Sequence, residues 1–133
     1  MDILPVKTSQ RQQIVDLTPA ISRHLSEHHY TDGLLLVYSP HTTAGISVNE
    51  NADPAVKHDI TQFLNKLVPA EAGFTHLEGN ADAHIKGSLI NFSQTFVIED
   101  NKLKLGTWQG IFFMEFDGPR RREVWLKFIP ATG

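Results

Sequence analysis

The chain contains no cysteine. Disulfides and thiolate metal sites are therefore excluded, and any bound metal must rely on imidazole and carboxylate ligands. The same absence fits a reducing compartment. No basic start leads into an apolar run, since Asp2 and Pro5 interrupt the region where a signal peptide would carry those features. Long hydrophobic runs are missing as well. The longest, Leu34 to Tyr38, is far too short to cross a bilayer. We therefore expect a cytoplasmic protein with no membrane partner. A cationic excess is also lacking. A formal net charge of −3 argues against general nucleic-acid binding, which depends on many phosphate-neutralising side chains. Finally, no glycine-rich phosphate loop, linker or internal repeat of solenoid type occurs.

What is present fits one globular domain over residues 1–133, with 41% apolar and 20% charged residues. Residues 6 to 17 read as a strand or hairpin. Thr18-Pro19 offers a hydroxyl cap followed by proline, and predicts a short helix to about His29. Asp32-Gly33 turns the chain into a buried strand, Leu34 to Tyr38, and Ala44 to Val48 is the next strand. Asp53-Pro54 repeats the cap-then-proline signal before an apolar stripe of Val56, Ile60, Phe63, Leu64 and Leu67. Residues 70 to 80 read as an irregular loop, and Asp82 as the cap of a shorter helix. Strands follow at 95–98, 103–105, 111–116 and 123–129, with turns at Asp100-Asn101 and Asp117-Gly118-Pro119. This order predicts α+β with a mainly antiparallel sheet.

Polar residues capable of chemistry cluster in three runs. The first, His41-Thr42-Thr43-Ala44-Gly45-Ile46-Ser47-Val48-Asn49-Glu50-Asn51, brackets a short apolar strand with imidazole, hydroxyl, carboxylate and carboxamide groups. The second runs from His76 to Lys86 through Asn80, Asp82 and His84. The third runs from Leu105 to Arg122 through Trp108, Gln109, Glu115, Asp117, Arg120 and Arg121. His41, His76 and His84 could offer three nitrogens to one divalent ion, zinc or magnesium, with Asp82 or Glu50 orienting a ligand ring. Against this, the same histidines could simply hydrogen-bond loop backbone while Asp82 caps a helix. His24, His28 and His29 lie near the end of the first helix, where the dipole favours imidazolium, and need no function. Glu115 sits in an apolar run and needs a partner, which Arg120 or Arg121 could be. Either arginine could instead clamp a phosphate group. Trp108 serves equally as pocket wall, core or interface.

Together the three runs, in this order and over roughly residues 5 to 129, resemble the YjbQ-like family, also called the secondary thiamine-phosphate synthases. The resemblance implies a β-sandwich flanked by helices and a homotrimer. It also implies a transferase that joins a pyrimidine-methyl diphosphate to a thiazole-ethyl phosphate, a small phosphorylated heterocyclic ligand, with metal assistance. His84, His41, Glu50 and Glu115 are then the candidate catalytic residues. Asn49, Asn51, Lys86, Gln109, Asp117, Arg120 and Arg121 are the candidate substrate contacts. Met114 stands where the family often has cysteine, so no thiol is required there. Gly87 and Asn91 stand where alanine and glycine are expected. The competing reading is a trimeric metal- or small-molecule-binding protein whose synthase activity is incidental. The apolar strand Ile111 to Met114 is expected to leave surface for assembly.

Overall fold

A computed structural model describes residues 1–132. The elements are β1 (Asp2–Lys7), β2 (Gln13–Asp16), α1 (Thr18–His28), β3 (Gly33–Tyr38), β4 (Ala44–Glu50), α2 (Pro54–Leu67), α3 (Ala81–Ile90), β5 (Ser93–Glu99), β6 (Lys102–Leu103), β7 (Gln109–Glu115) and β8 (Arg121–Pro130). They form a five-stranded sheet, β1-β8-β3-β5-β6, and a three-stranded sheet, β2-β7-β4. Every pairing described is antiparallel. No described helix is long and apolar enough to cross a membrane.

The layering follows from strand alternation. On β7, Ile111 and Phe113 join the core between the sheets, together with Leu35, Val37, Val124 and Leu126. The alternate residues Phe112, Met114 and Phe116 form a second core with Ala83 of α3, against which Ile60 and Leu64 of α2 pack. Thus β7 is buried on both faces. Ile111 to Met114, expected to supply surface for assembly, is covered within the protomer, Phe112 and Met114 by α2 and α3 and Ile111 and Phe113 by the core between the sheets. Ile21 and Leu25 of α1 complete the first core.

Helix starts are partly as expected. Asp53 caps α2, its Oδ1 accepting from Ala55 N at 2.9 Å. Thr18 does not cap α1. It lies inside the helix, and its hydroxyl accepts from Ile111 N at 2.9 Å, tying α1 to β7. Asp82 does not cap α3 either. Asn80 holds that position, and Asp82 is buried in the first turn. Asp100 and Asn101 both have positive φ, 51° and 65°, as a tight β5–β6 hairpin requires. Asn91, where the resemblance led us to expect glycine, has φ 91°, which explains that expectation physically.

An ionic contact joins the two sheets. Arg122 of β8 donates from Nε to Glu115 Oε1 of β7 at 2.9 Å and from Nη2 to Oε2. The Arg122 Nη2 group also donates to Thr43 Oγ1 at 2.7 Å. The Thr8 hydroxyl donates to Glu115 Oε1 at 2.7 Å, and Asp117 N to Oε2 at 3.2 Å. Glu115 is thus partnered by Arg122, not by Arg120 or Arg121. Alternation on β8 is the reason: Arg122 shares the inward face with Val124 and Leu126, while Arg121 points out. Removing one partner of a buried pair strands the other charge. Arg122→Met should therefore cost about 3–5 kcal/mol in denaturant unfolding, and adding Glu115→Gln should recover part of it. Arg120→Ala and Arg121→Ala, at exposed positions, should each stay within about 0.5 kcal/mol of the parent.

Candidate functional site

The chain leaving β3 turns at Pro40 and enters β4 beside the Glu115–Arg122 pair. There His41, Thr42, Thr43, Glu78, Asn80, His84, Asp117, Arg120 and Arg122 enclose a polar cleft of about 350 Å³. Its walls come from the β3–β4 loop, the start of α3 and the turn before β8. Gly118 makes the turn's close approach possible. A Cβ there would lie 2.3 Å from Gln10 O and 2.8 Å from Thr8 Oγ1.

Each wall residue is held by specific bonds. His41 Nε2 lies 3.0 Å from Glu123 N and 3.1 Å from Glu123 O, so the β8 backbone occupies that nitrogen. Burial, and then the nearby Arg122 cation, lower the His41 pKa below the ordinary imidazole value. Arg120 donates from Nε to Asp117 O at 2.9 Å and from Nη2 to Asp117 Oδ2 at 3.0 Å. Asn80 Nδ2 also donates to Asp117 Oδ2, at 2.8 Å. Asn80 Oδ1 is buried without a partner among the described residues. Reversing the amide would set oxygen against the Asp117 carboxylate, so the cleft wall retains an acceptor that lacks a donor.

Helix α3, which carries His84, is anchored from below. Asp82 is fully buried, and Arg11 of the β1–β2 loop grips it with bonds of 3.0 and 3.3 Å. Burial would raise the Asp82 pKa, but the Arg11 bonds outweigh it and hold the carboxyl below its usual range. Lys86, only 1% exposed, donates to Asn65 Oδ1 at 2.7 Å and lies 3.6 Å from Asp82. Burial lowers its pKa, with Asp82 opposing. Lys86 therefore braces α3 against α2 and does not line the cleft.

The sequence-predicted residues fall at two ends of β4. His41, Glu115, Asp117, Arg120 and His84 gather at the cleft end. Asn49, Glu50, Asn51 and Gln109 lie at the other, separated by the strand's length of about 20 Å. At that far end Asn51 donates to Asp16 Oδ2 at 2.9 Å and accepts from Lys57 Nζ at 2.8 Å. Gln109 accepts from Gly106 N at 2.8 Å. These bonds close the strand ends. Arg121 is exposed on the outer side of β8, and so is Trp108, at 63%, in the loop before β7.

His76 and His84 do come together, with ring centroids 5.1 Å apart, and Glu78 Oε2 lies 3.8 Å from His76 Nε2. The ligand atoms of His41, His76 and His84 do not converge within 4.8 Å of one another among the described residues. Three imidazoles would suit zinc better than magnesium, but this protomer places only two of them side by side. Arg122, Thr43, Thr8, Asn80 and Arg11 are the parts that sequence reasoning did not assign. For Arg122 a signal existed, its alternation with Val124 and Leu126. For Arg11 and Asn80 none did, because their partners are distant in the chain.

Lowering of the His41 pKa has a consequence for stability. The unfolded chain takes up the His41 proton near pH 6.5, where the folded chain still resists it. This contribution is complete above that pH and is lost as pH falls toward the depressed folded value. Asp82 and Glu115, both held low, add a second loss that begins only near pH ~4. His41→Gln should flatten the first loss and leave the second. Unfolding free energies at stepped pH values check this, and an unchanged slope between pH 6.5 and 5 would refute it.

The whole matched region conforms to one family model, that of the UPF0047 protein YjbQ-like family, over residues 2–131. A UPF0047 protein of Methanocaldococcus jannaschii is 60% identical over 124 residues, covering 93% of this chain and 90% of that protein. The UPF0047 protein YugU of Bacillus subtilis is 46% identical over 127 residues, covering 95% and 96%. Among solved structures, an uncharacterized conserved YjbQ/UPF0047 protein from Clostridium acetobutylicum superposes with a TM-score of 0.93. It is 50% identical and covers 97% of this chain and all of that one. A conserved hypothetical protein from Thermus thermophilus gives 0.91 at 38% identity, covering 97% of this chain and all of its own. With its motifs, sheets and cleft in place, the chain belongs to the UPF0047 YjbQ-like family.

Proposed function

We propose that this protein is a small transferase of the secondary thiamine-phosphate synthase type, joining a pyrimidine-methyl diphosphate to a thiazole-ethyl phosphate. The observation that supports it is a single polar cleft in which His41 and His84 stand beside Arg120 and Arg122. In such a reaction the thiazole nitrogen forms a bond to the exocyclic methylene carbon of the pyrimidine. The carbon–oxygen bond to the diphosphate breaks, and its electron pair leaves with pyrophosphate. The protein's task is to stabilise that departing charge. Arg120 uses two of its five N–H donors on Asp117, and the remaining three suit a phosphate group. In this reading His84, which lines the cleft, protonates the leaving oxygen. Asn80 lines the cleft and holds Asp117, the carboxylate that also orients Arg120.

The test is pyrophosphate release from the two substrates by purified protein. Turnover within the ordinary enzyme range is expected, falling about 100-fold in His84→Gln. Arg120→Lys should raise KM for the diphosphate, because the planar fork is lost while the charge is kept. Tight ligand binding with only trace turnover would favour the reading as a binding protein.

We propose, further, that the protein works as a homotrimer. The outer face of the larger sheet carries two cross-strand apolar rows. One is Ile129, Leu34 and Val97, and the other is Ile3, Trp125 and Tyr38. Ile129, Leu34, Val97 and Ile3 are exposed, and no described helix covers them. Light scattering should give three times the 14.9 kDa protomer mass, and Leu34→Asp should lower it. A monomeric mass for the parent would end the proposal.

A further inference from the structure

Away from the cleft, β1 and α1 bring together a second group of metal-ligating side chains. His24 and His28 are four residues apart on α1, hence on one helix face, with rings stacked 3.9 Å apart at 27°. Asp2, the first residue of β1, is set in place by its register opposite Leu126 of β8. Its Oδ2 lies 2.9 Å from His24 Nε2. One ligand atom from each of these three residues lies within 4.8 Å of the others.

The surroundings set His28 in the tautomer a cation needs, and a cation at His24 Nε2 would displace the proton that this nitrogen now shares with Asp2. His28 Nδ1 lies 3.0 Å from His24 O, and a carbonyl can only accept, so this nitrogen carries the proton. The lone pair is then on Nε2. Metal-binding histidines are commonly oriented this way, by a backbone carbonyl on the other ring nitrogen. The Tyr30 hydroxyl donates to Asp2 Oδ2 at 2.7 Å, and its ring stacks on Phe128 at 4.5 Å and 9°. The Asp2 carboxylate thus accepts from both the Tyr30 hydroxyl and the His24 ring. A strand-to-helix tether would explain Asp2, His24 and Tyr30, and the helix dipole favours His28 in the last turn of α1, but neither accounts for three ligand atoms converging within 4.8 Å.

We propose that Asp2, His24 and His28 form a binding site for a divalent transition-metal ion of the zinc class, with a fourth position open to solvent. Zinc bonds of about 2.0–2.1 Å place tetrahedral ligands about 3.3 Å apart, which side-chain rotations can reach here. The exposure of His28 supplies the entry path. Bound metal would pin the first strand to α1 and thereby favour the folded chain.

The experiment uses chelator-treated full-length protein, titrated with Zn(II) alone by calorimetry and followed by thermal melting. Co(II) serves as the spectroscopic probe. One Zn(II) site per chain is expected to persist in the His76→Ala/His84→Ala double variant and to vanish in His28→Ala. The latter leaves the Asp2–His24–Tyr30 bonds intact, so it folds. Loss of an outer partner costs about 10–100-fold in affinity, and loss of the His28 ligand itself should cost at least about 100-fold. Asp2→Asn should weaken binding in the same direction. Zn(II) should raise the melting temperature of the parent but not of His28→Ala, and Co(II) should give a four-coordinate visible spectrum in the parent and the double variant but not in His28→Ala. Two parent sites, one lost in each variant set, would also support the assignment. Undiminished stoichiometry in His28→Ala, or no saturable binding by the parent, would overturn it.

Discussion

The Glu115–Arg122 pair is the contact on which the cleft depends. It is buried, it bridges the two sheets, and it leaves no carboxylate lone pair idle. A half-satisfied pair at this depth would destabilise the protein, so every partner has to be in place at once. Those partners are the parts that shape the cleft: Thr43 beside His41, the Asp117 amide at the turn, and Thr8. Thr8 also accepts from Arg120 N at 3.0 Å and thereby positions the next arginine. Charge satisfaction in the core and geometry at the surface are one constraint.

The β1–β2 loop extends that constraint to α3. Arg11 O accepts from Gly118 N at 2.9 Å, while the guanidinium of the same residue grips Asp82. One residue therefore links the turn carrying Asp117 to the helix carrying His84. Lys86 adds a brace from α2 through Asn65. Removing a charge from this network should disturb His84 without touching it. Arg11 is accordingly a positioning residue in the proposed reaction.

Much of the fold was legible in the sequence because its signals are local. The Leu34–Tyr38 strand, the Asp53-Pro54 helix start and the Asp100-Asn101 turn each depend on neighbours within a few residues. Thr18 and Asp82 misled because tertiary partners, Ile111 N and Arg11, outbid the cap positions they were expected to fill. The site was legible only in part for the same reason. A run such as His41 to Asn51 looks like one cluster on paper. Once it becomes strand β4, its two ends cannot meet, and Asn49, Glu50 and Asn51 go with Gln109 to the far end. Lys86 looked like a substrate cation, but helical spacing puts it four residues after Asp82, facing the core.

The far end of β4 shows what polar residues do when no cleft forms around them. Asn51 has both ends of its amide matched, one on Asp16 and one on Lys57. Gln109 closes its own loop on Gly106. At the cleft end, by contrast, Asn80 keeps an acceptor without a donor, and Arg120 keeps donors beyond those Asp117 uses. A folded chain tends to satisfy its buried polar groups, so unmet hydrogen-bonding capacity gathered in one concave place points to something outside the protomer. The unmet groups include an acceptor as well as N–H donors. The N–H donors left on Arg120 face the concave surface, whereas Asn80 Oδ1 lies behind it, within the wall. Under the proposed reaction those donors meet the diphosphate, and the contrast between the two ends of β4, more than the number of charged residues, is what singles this end out.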